Sequence, residues 1–235
     1  MRWQIEKKLT DQLDRETGYV RYPFGSRHTM AICYPNTYET GMSNLGLQII
    51  YQQVNGRGDF QCERAFLPDK DLQKLYDKDH IPLLTLENQR PLCDFEIIGF
   101  SINFEMDYFN VPFILEQGRV PVEAAKRQDD DPLVVMGGPV AFFNPEPLTP
   151  FIDVCLVGEG EDLIHAFLDA WLAAKAEPGM TRQKLLQRLA QVDGVYVPSL
   201  YTHVYNEDGE LTAIVPEAGA PEHVRRQWHE LTKPG

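Results

Sequence analysis

Glu96-Ile97-Ile98-Gly99-Phe100-Ser101 is a short apolar run in which polar and apolar residues do not alternate. Successive side chains of a strand point to opposite faces, so a strand packed on one face alternates in sequence. A strand covered on both faces reads as continuous hydrophobic sequence. The run therefore predicts a central strand of a parallel sheet with helices on both sides. Toward the C-terminus, a helical stretch from about Asp107 to Gln117 is closed by Gly118. Pro132-Leu133-Val134-Val135-Met136 then gives another strand, ending in Gly137-Gly138-Pro139. Val154-Cys155-Leu156-Val157 gives the next, ending in Gly158-Glu159-Gly160-Glu161. Asp162 to Ala174 places Leu163, Ala166, Phe167, Ala170 and Trp171 on one helical face. Toward the N-terminus, Asp69 to Asp79 reads as a short helix and Phe60 to Leu67 as a strand stopped by Pro68. Leu45, Ile49, Ile50 and Val54 share a face of a helix ended by Asn55-Gly56, and Thr29 to Tyr34 is a strand stopped by Pro35.

Five strands separated by helices are the signature of βαβ units. The predicted fold class is α/β: a doubly wound, mainly parallel five-stranded sheet of Rossmann-like or flavodoxin-like type, over residues 28–176. Residues 1–27 form a lead-in with a helix from Trp3 to Leu13. Residues 177–235 form an extension. Within it, Thr181 caps a helix from Lys184 to Ala190, and Val195 to Val215 reads as a hairpin turning at Asn206-Glu207-Asp208-Gly209. The polar stretch that runs to Lys233-Pro234-Gly235 reads as a linker.

The 235 residues carry 35 acidic against 22 basic side chains, a formal net charge of −13. That balance repels a phosphate backbone, and no dense Lys/Arg run offsets it, so nucleic-acid binding is not expected. No apolar segment reaches bilayer-spanning length and no apolar h-region follows Met1, so the expected location is cytoplasmic. Cys33, Cys62, Cys93 and Cys155 lie far apart with no C-x-x-C pairing, which predicts buried, reduced core cysteines. The six histidines show no metal-ligand spacing, and neither a P-loop nor a G-x-G-x-x-G is present.

In open parallel sheets, ligands bind beyond the carboxyl ends of the strands, where the crossover direction reverses. Three of those ends carry turn-forming or helix-starting chemistry. They are Thr40-Gly41-Met42-Ser43-Asn44-Leu45-Gly46, then Gly137-Gly138-Pro139 with Phe142-Phe143-Asn144-Pro145-Glu146-Pro147, and Gly158-Glu159-Gly160-Glu161-Asp162. Glycine lets backbone approach a ligand closely, and glycine before a helix exposes N–H groups. Glu159, Glu161 and Asp162 read first as helix-start residues favoured by the dipole. No Ser–His–Asp set is present, and nothing in the chain is catalytic by itself.

Taken in order, these segments carry a resemblance. Tyr34 to Gln48, then Cys62-Glu63-Arg64-Ala65-Phe66-Leu67-Pro68, Gly137-Gly138-Pro139, Asn144-Pro145-Glu146-Pro147, Asp153 and Gly158 to Glu161 resemble the N-terminal region of a family of bacterial radical-SAM proteins with a cobalamin-binding-type domain. The resemblance covers about residues 28–175. It implies a parent protein with a barrel-like radical-SAM domain, whose three-cysteine motif binds a [4Fe-4S] cluster and S-adenosylmethionine and is absent from this chain. Arg225-Arg226-Gln227-Trp228 looks like the lead-in to that domain.

The implied cofactor here is cobalamin. Cobalamin-dependent mutases carry D-x-H-x-x-G after the first strand. This chain has Asn36-Thr37-Tyr38-Glu39-Thr40-Gly41, so the cobalt would lack a lower axial histidine. The candidate contacts at the mouth are Asn36, Tyr38, Glu39, Gly41, Asn44, Ser101, Asn103 and Glu105. Those beside the nucleotide tail are Gly137, Gly138, Pro139, Gly158, Glu159 and Gly160. Phe104, Tyr108, Phe142 and Phe143 are expected to form an exposed apolar ring that the radical-SAM domain covers. Gly138→Val is expected to abolish binding without disturbing the fold. A flavodoxin-like flavin or nucleotide binder is the main alternative, though only Thr37, Thr40 and Ser43 in the first loop suit phosphate binding. A domain that only docks the barrel or presents substrate is the other.

Overall fold

In the computed structural model, which describes residues 2–217 and 219–229, the apolar run 97–101 lies inside a six-stranded sheet of order β2-β1-β3-β4-β5-β6. The strands β1 (His28–Tyr34), β2 (Phe60–Phe66), β3 (Ile97–Ser101), β4 (Leu133–Gly137) and β5 (Val154–Leu156) are parallel. The short β6 (Val195–Tyr196) runs antiparallel on β5. Around the sheet pack α1 (Arg2–Leu13), α2 (Tyr38–Met42), α3 (Leu45–Gly56), α4 (Lys70–Lys78), α5 (Asn110–Gln117), α6 (Val140–Phe143), α7 (Gly160–Lys175) and α8 (Arg182–Leu189). A separate hairpin pairs β7 (Tyr201–Tyr205) with β8 (Leu211–Pro216). The five parallel strands have the flavodoxin-like order, which reverses direction between β1 and β3.

The period of two in each strand divides the core. Met30, Ile32, Ile97 and Val135 face one side, where they pack with α3, α7 and α8. Ala31, Cys33, Ile98, Phe100 and Met136 face the other, with α1, α4 and α5. The helix starts follow from local chemistry. Asn44 Oδ1 accepts the Leu47 N–H at 2.8 Å, and Asp69 Oδ1 accepts from the Asp71 and Leu72 N–H groups at 2.9 and 2.7 Å. Trp171 is buried in the α7 face against Phe60 and His28.

Two polar clusters are buried as well. Glu63, Arg64 and Glu87 are almost fully enclosed where the 84–91 segment folds over the edge strand β2. The Arg64 guanidinium holds Glu87 and Glu16 at 2.7 Å each. At the opposite, amino-terminal edge, Asp153 Oδ2 accepts from Arg127, from Arg182 and from the Val134 N–H. Cys33, Cys62 and Cys155 are buried, and burial pushes their thiols up, away from the thiolate form.

The predicted hairpin over Val195–Val215 differs from what forms. Val195 and Tyr196 are buried and pair with Leu156 and Cys155, so they cover β5, which would otherwise be a bare edge. The hairpin proper starts at Tyr201, and its strands are mostly exposed. Of the linker expected over Glu217 to Gly235, residues 218 and 230–235 lie outside the described residues. Among the described residues, no helix is long and apolar enough to cross a membrane.

Candidate functional site

The carboxyl ends of β3, β4 and β5 open onto a cavity of about 320 Å³ on the α3/α7 side of the sheet. Its floor exists because side chains are missing from two adjacent strands. Gly99 and Ser101 of β3 and Gly137 of β4 lie where bulky residues would otherwise meet the helices. A Cβ on Gly99 would meet Met30 Cε at 2.6 Å, so Met30 fills the space above it. A Cβ on Gly137 would find only Leu156 Cβ, at 4.0 Å, and would project into open cavity. The walls are Gly46, Ile49 and Ile50 of α3 and Gly160, Glu161 and Ile164 of α7. Gly160 lets α7 start close to α3, since a Cβ there would lie 2.6 Å from Ile50 Cδ1.

Gly138 and Gly158 have a different duty. Gly138 has φ +97°, and a Cβ on it would sit 2.6 Å from the Ile102 carbonyl oxygen. The residue is required by the backbone, which corrects the expectation that Gly138→Val would leave the fold intact. Gly158 has φ +141°, and the Gln227 backbone crosses where its Cβ would be.

That crossing is the main feature absent from the sequence-based site. Arg225-Arg226-Gln227-Trp228 does not simply lead away from the domain. Gln227 donates to the Val157 carbonyl at 2.9 Å and accepts from the Glu159 N–H at 3.0 Å, laying the tail along the carboxyl edge. The His229 N–H donates to Glu159 Oε2, and the His229 ring bonds Asp162 Oδ2, both at 2.7 Å. Arg226 thereby reaches the cavity mouth. The RRQW run is the only sequence signal for this.

The candidate contacts divide cleanly. Ser101, Asn103, Gly137, Gly138, Pro139, Gly158, Glu159 and Gly160 all line the cavity. Among the described residues, the Ser101 and Asn103 side chains have no hydrogen-bond partner in the chain. The first loop faces elsewhere. Asn36 donates to Asp107 Oδ1 at 2.8 Å and ties the β1 and β3 loops together. Tyr38 donates to Glu16 at 2.9 Å and meets Phe66 edge to face, and Glu39 lies beside it over a second, smaller recess. Gly41 packs under the Phe66 ring, Asn44 caps α3, and Glu105 is exposed. A wider and more open depression of about 770 Å³ lies at the amino edge, but its Arg127, Asp153 and Arg182 are already paired with one another.

Leu45, Phe104, Met106, Phe109, Phe143 and Trp228 are exposed large apolar residues in the segments that follow β1, β3 and β4 and in the tail. Of the ring expected from sequence, Phe104 and Phe143 are exposed. Tyr108 instead donates to the Asn144 carbonyl, and Phe142 packs under Arg226.

Titration of His229 gives one expected result. The bond to Asp162 raises the His229 pKa above its ordinary value. A raised folded pKa means that the contact stabilises below the unfolded-state value of about 6.5 and is lost as pH rises through the folded one. Protection of the Glu159 and Gln227 amides, corrected for intrinsic exchange rate, should therefore fall in the parent as pH rises above about 6.5. In His229→Ala it should be low and flat. A pH-independent parent would contradict this.

A family described as radical SAM proteins, N-terminal, matches residues 46–198. The uncharacterized protein MJ0966 of Methanocaldococcus jannaschii is 26% identical over 132 residues, which is 56% of this chain and 24% of that protein. The match thus spans about a quarter of the relative's length. No solved structure matches the chain.

Proposed function

The chain belongs to the family of N-terminal regions of radical SAM proteins, and on that premise we propose that it is a cobalamin-holding module with no turnover of its own. The observation that carries this reading is the glycine-floored apolar cavity at the carboxyl edge, next to the reversal of strand order. Its volume, about 320 Å³, suits one ring system and its sugar and falls at the lower end of the roughly 300–1,000 Å³ of ligand pockets. Gly137 and Gly160 would flank the nucleotide tail of cobalamin, leaving the corrin outside the cavity. Ser101 and Asn103, without a side-chain hydrogen bond among the described residues, would supply polar groups at the mouth.

When bound, cobalamin supplies a cobalt centre that can carry a methyl group or take part in radical chemistry. The protein's part is to hold the tail and leave the corrin face open. No histidine stands in the 36–41 loop, so the chain offers no lower axial ligand from there. The exposure of Leu45, Phe104, Met106, Phe109, Phe143 and Trp228 supports docking of the radical-SAM domain, with its [4Fe-4S] cluster and S-adenosylmethionine, over that face. We place the module in the cytoplasm.

The test is retention. Incubated with hydroxocobalamin and desalted, the chain should keep one corrin with a base-off visible spectrum, and FMN in parallel should wash out. Retained FMN with no corrin would favour a flavodoxin-like binder, which the strand order also suits. A colourless protein in both cases would leave only the docking role.

A further inference from the structure

We propose that Arg226 is a ligand-binding residue that pairs with a phosphate group of the molecule held in the glycine-floored cavity. The proposal rests on that cavity being the ligand site. Arg226 lines its mouth, with the guanidinium carbon 3.8 Å from the Phe142 ring centroid and 3.9 Å from that of Trp228. In contact with two aromatic rings, the planar group has less freedom left to lose. Its Nε is shielded from water and has no acceptor among the described residues. Arg57, Arg64, Arg127 and Arg182, also poorly exposed, each pair with at least one carboxylate. Among the described residues Arg226 pairs with none, in a chain of net charge −13.

The carboxylates nearest to hand do not take that role. Glu159 is engaged by the His229 N–H and Asp162 by the His229 ring. Glu161 is half-exposed, so solvent screens it. Beside Arg226, the sixteen-residue α7 begins at Gly160 with no side-chain cap, so its first N–H groups add a second positive pole at the same mouth. The ligand class is a nucleotide: an apolar ring system in the slot and a phosphate or phosphodiester at Arg226. Arg226 belongs to the tail, so the tail is part of the binding site and its pairing with Gly158 sets the position of the charge.

The experiment uses two ligand pairs that differ in their phosphate-bearing part: hydroxocobalamin against cobinamide, which lacks the nucleotide, and FMN against riboflavin. Each is titrated into the full chain, Arg226→Gln and Arg226→Lys, with melting curves to verify folding. A charge-assisted hydrogen bond is worth about 1.5–3 kcal/mol, so Arg226→Gln should weaken the phosphate-bearing member of whichever pair binds by roughly 10- to 100-fold. The phosphate-free member should bind all variants alike, and Arg226→Lys should fall between. Cobalamin bound equally by the parent and Arg226→Gln overturns the role of Arg226 and leaves the cobalamin reading standing. FMN bound in an Arg226-dependent way, without cobalamin, does the reverse. Binding of neither pair overturns both.

Discussion

Gly137→Phe should eliminate cobalamin retention while leaving the melting transition and the far-UV spectrum close to those of the parent. The reason is geometric. The Gly137 Cβ direction leads into the cavity, and the nearest atom it would meet is 4.0 Å away, so the added ring occupies the space the ligand needs. Gly138→Val, one residue on, should behave in the opposite way. The φ of +97° and the Ile102 carbonyl 2.6 Å from a Cβ require backbone movement. Strain of that kind together with a buried clash should lower stability by about 3 kcal/mol or more, whether or not ligand is present. The pair separates an occupied cavity from a broken fold. Gly137→Phe that keeps its corrin would place the ligand elsewhere.

The largest effect on stability is expected at Asp153→Ala. One carboxylate oxygen accepts from Arg127 at 2.9 Å, Arg182 at 2.6 Å and the Val134 N–H at 2.7 Å, and the whole group is buried. Removing it leaves two guanidinium groups unpaired, at 0% and 10% side-chain exposure. Breaking a buried ion pair on one side costs about 3–5 kcal/mol, which for a chain of this size lowers the melting temperature by roughly 10 °C. Arg182 begins α8, so the helix should loosen first and the amides of 182–189 should lose protection ahead of the sheet. Retention of ligand at low temperature should survive, because Asp153 lies at the opposite edge from the cavity. A change of less than 1 kcal/mol in chemical denaturation would contradict this account of the cluster.

The fold was legible because most of its elements announce themselves locally. Ile97 to Ser101 and Leu133 to Met136 are covered on both faces and read as unbroken apolar runs. Asn44, Asp69 and Thr181 mark helix starts that the structure uses. The site was only partly legible. The glycine clusters at 137–138 and 158–160 do meet at one cavity, since every parallel strand delivers its carboxyl end to the same edge. Gly99 escaped notice because a glycine inside an apolar strand looks like a packing detail, while here its missing side chain makes room for Met30, which lines the cavity beside it. The 36–44 loop was assigned to the mouth, yet Asn36–Asp107 and Tyr38–Glu16 hydrogen bonds turn it away, and such long-range partners leave no trace in local sequence. The tail was read as a departing linker for the same reason: its return depends on backbone pairing with Gly158, which no side-chain pattern encodes.

A cobalamin-holding module of this shape would seat the nucleotide tail between β4 and α7. A crystal structure of the chain grown with hydroxocobalamin, with data collected at the cobalt edge, locates the metal without prior phases. The expected result is an anomalous peak outside the carboxyl edge, above Ser101 and Asn103, with continuous ligand density running down to Gly137 and Gly160. Cobalt at the amino edge or on the hairpin, or a cavity filled only by repositioned Met30 and Phe142, would contradict it.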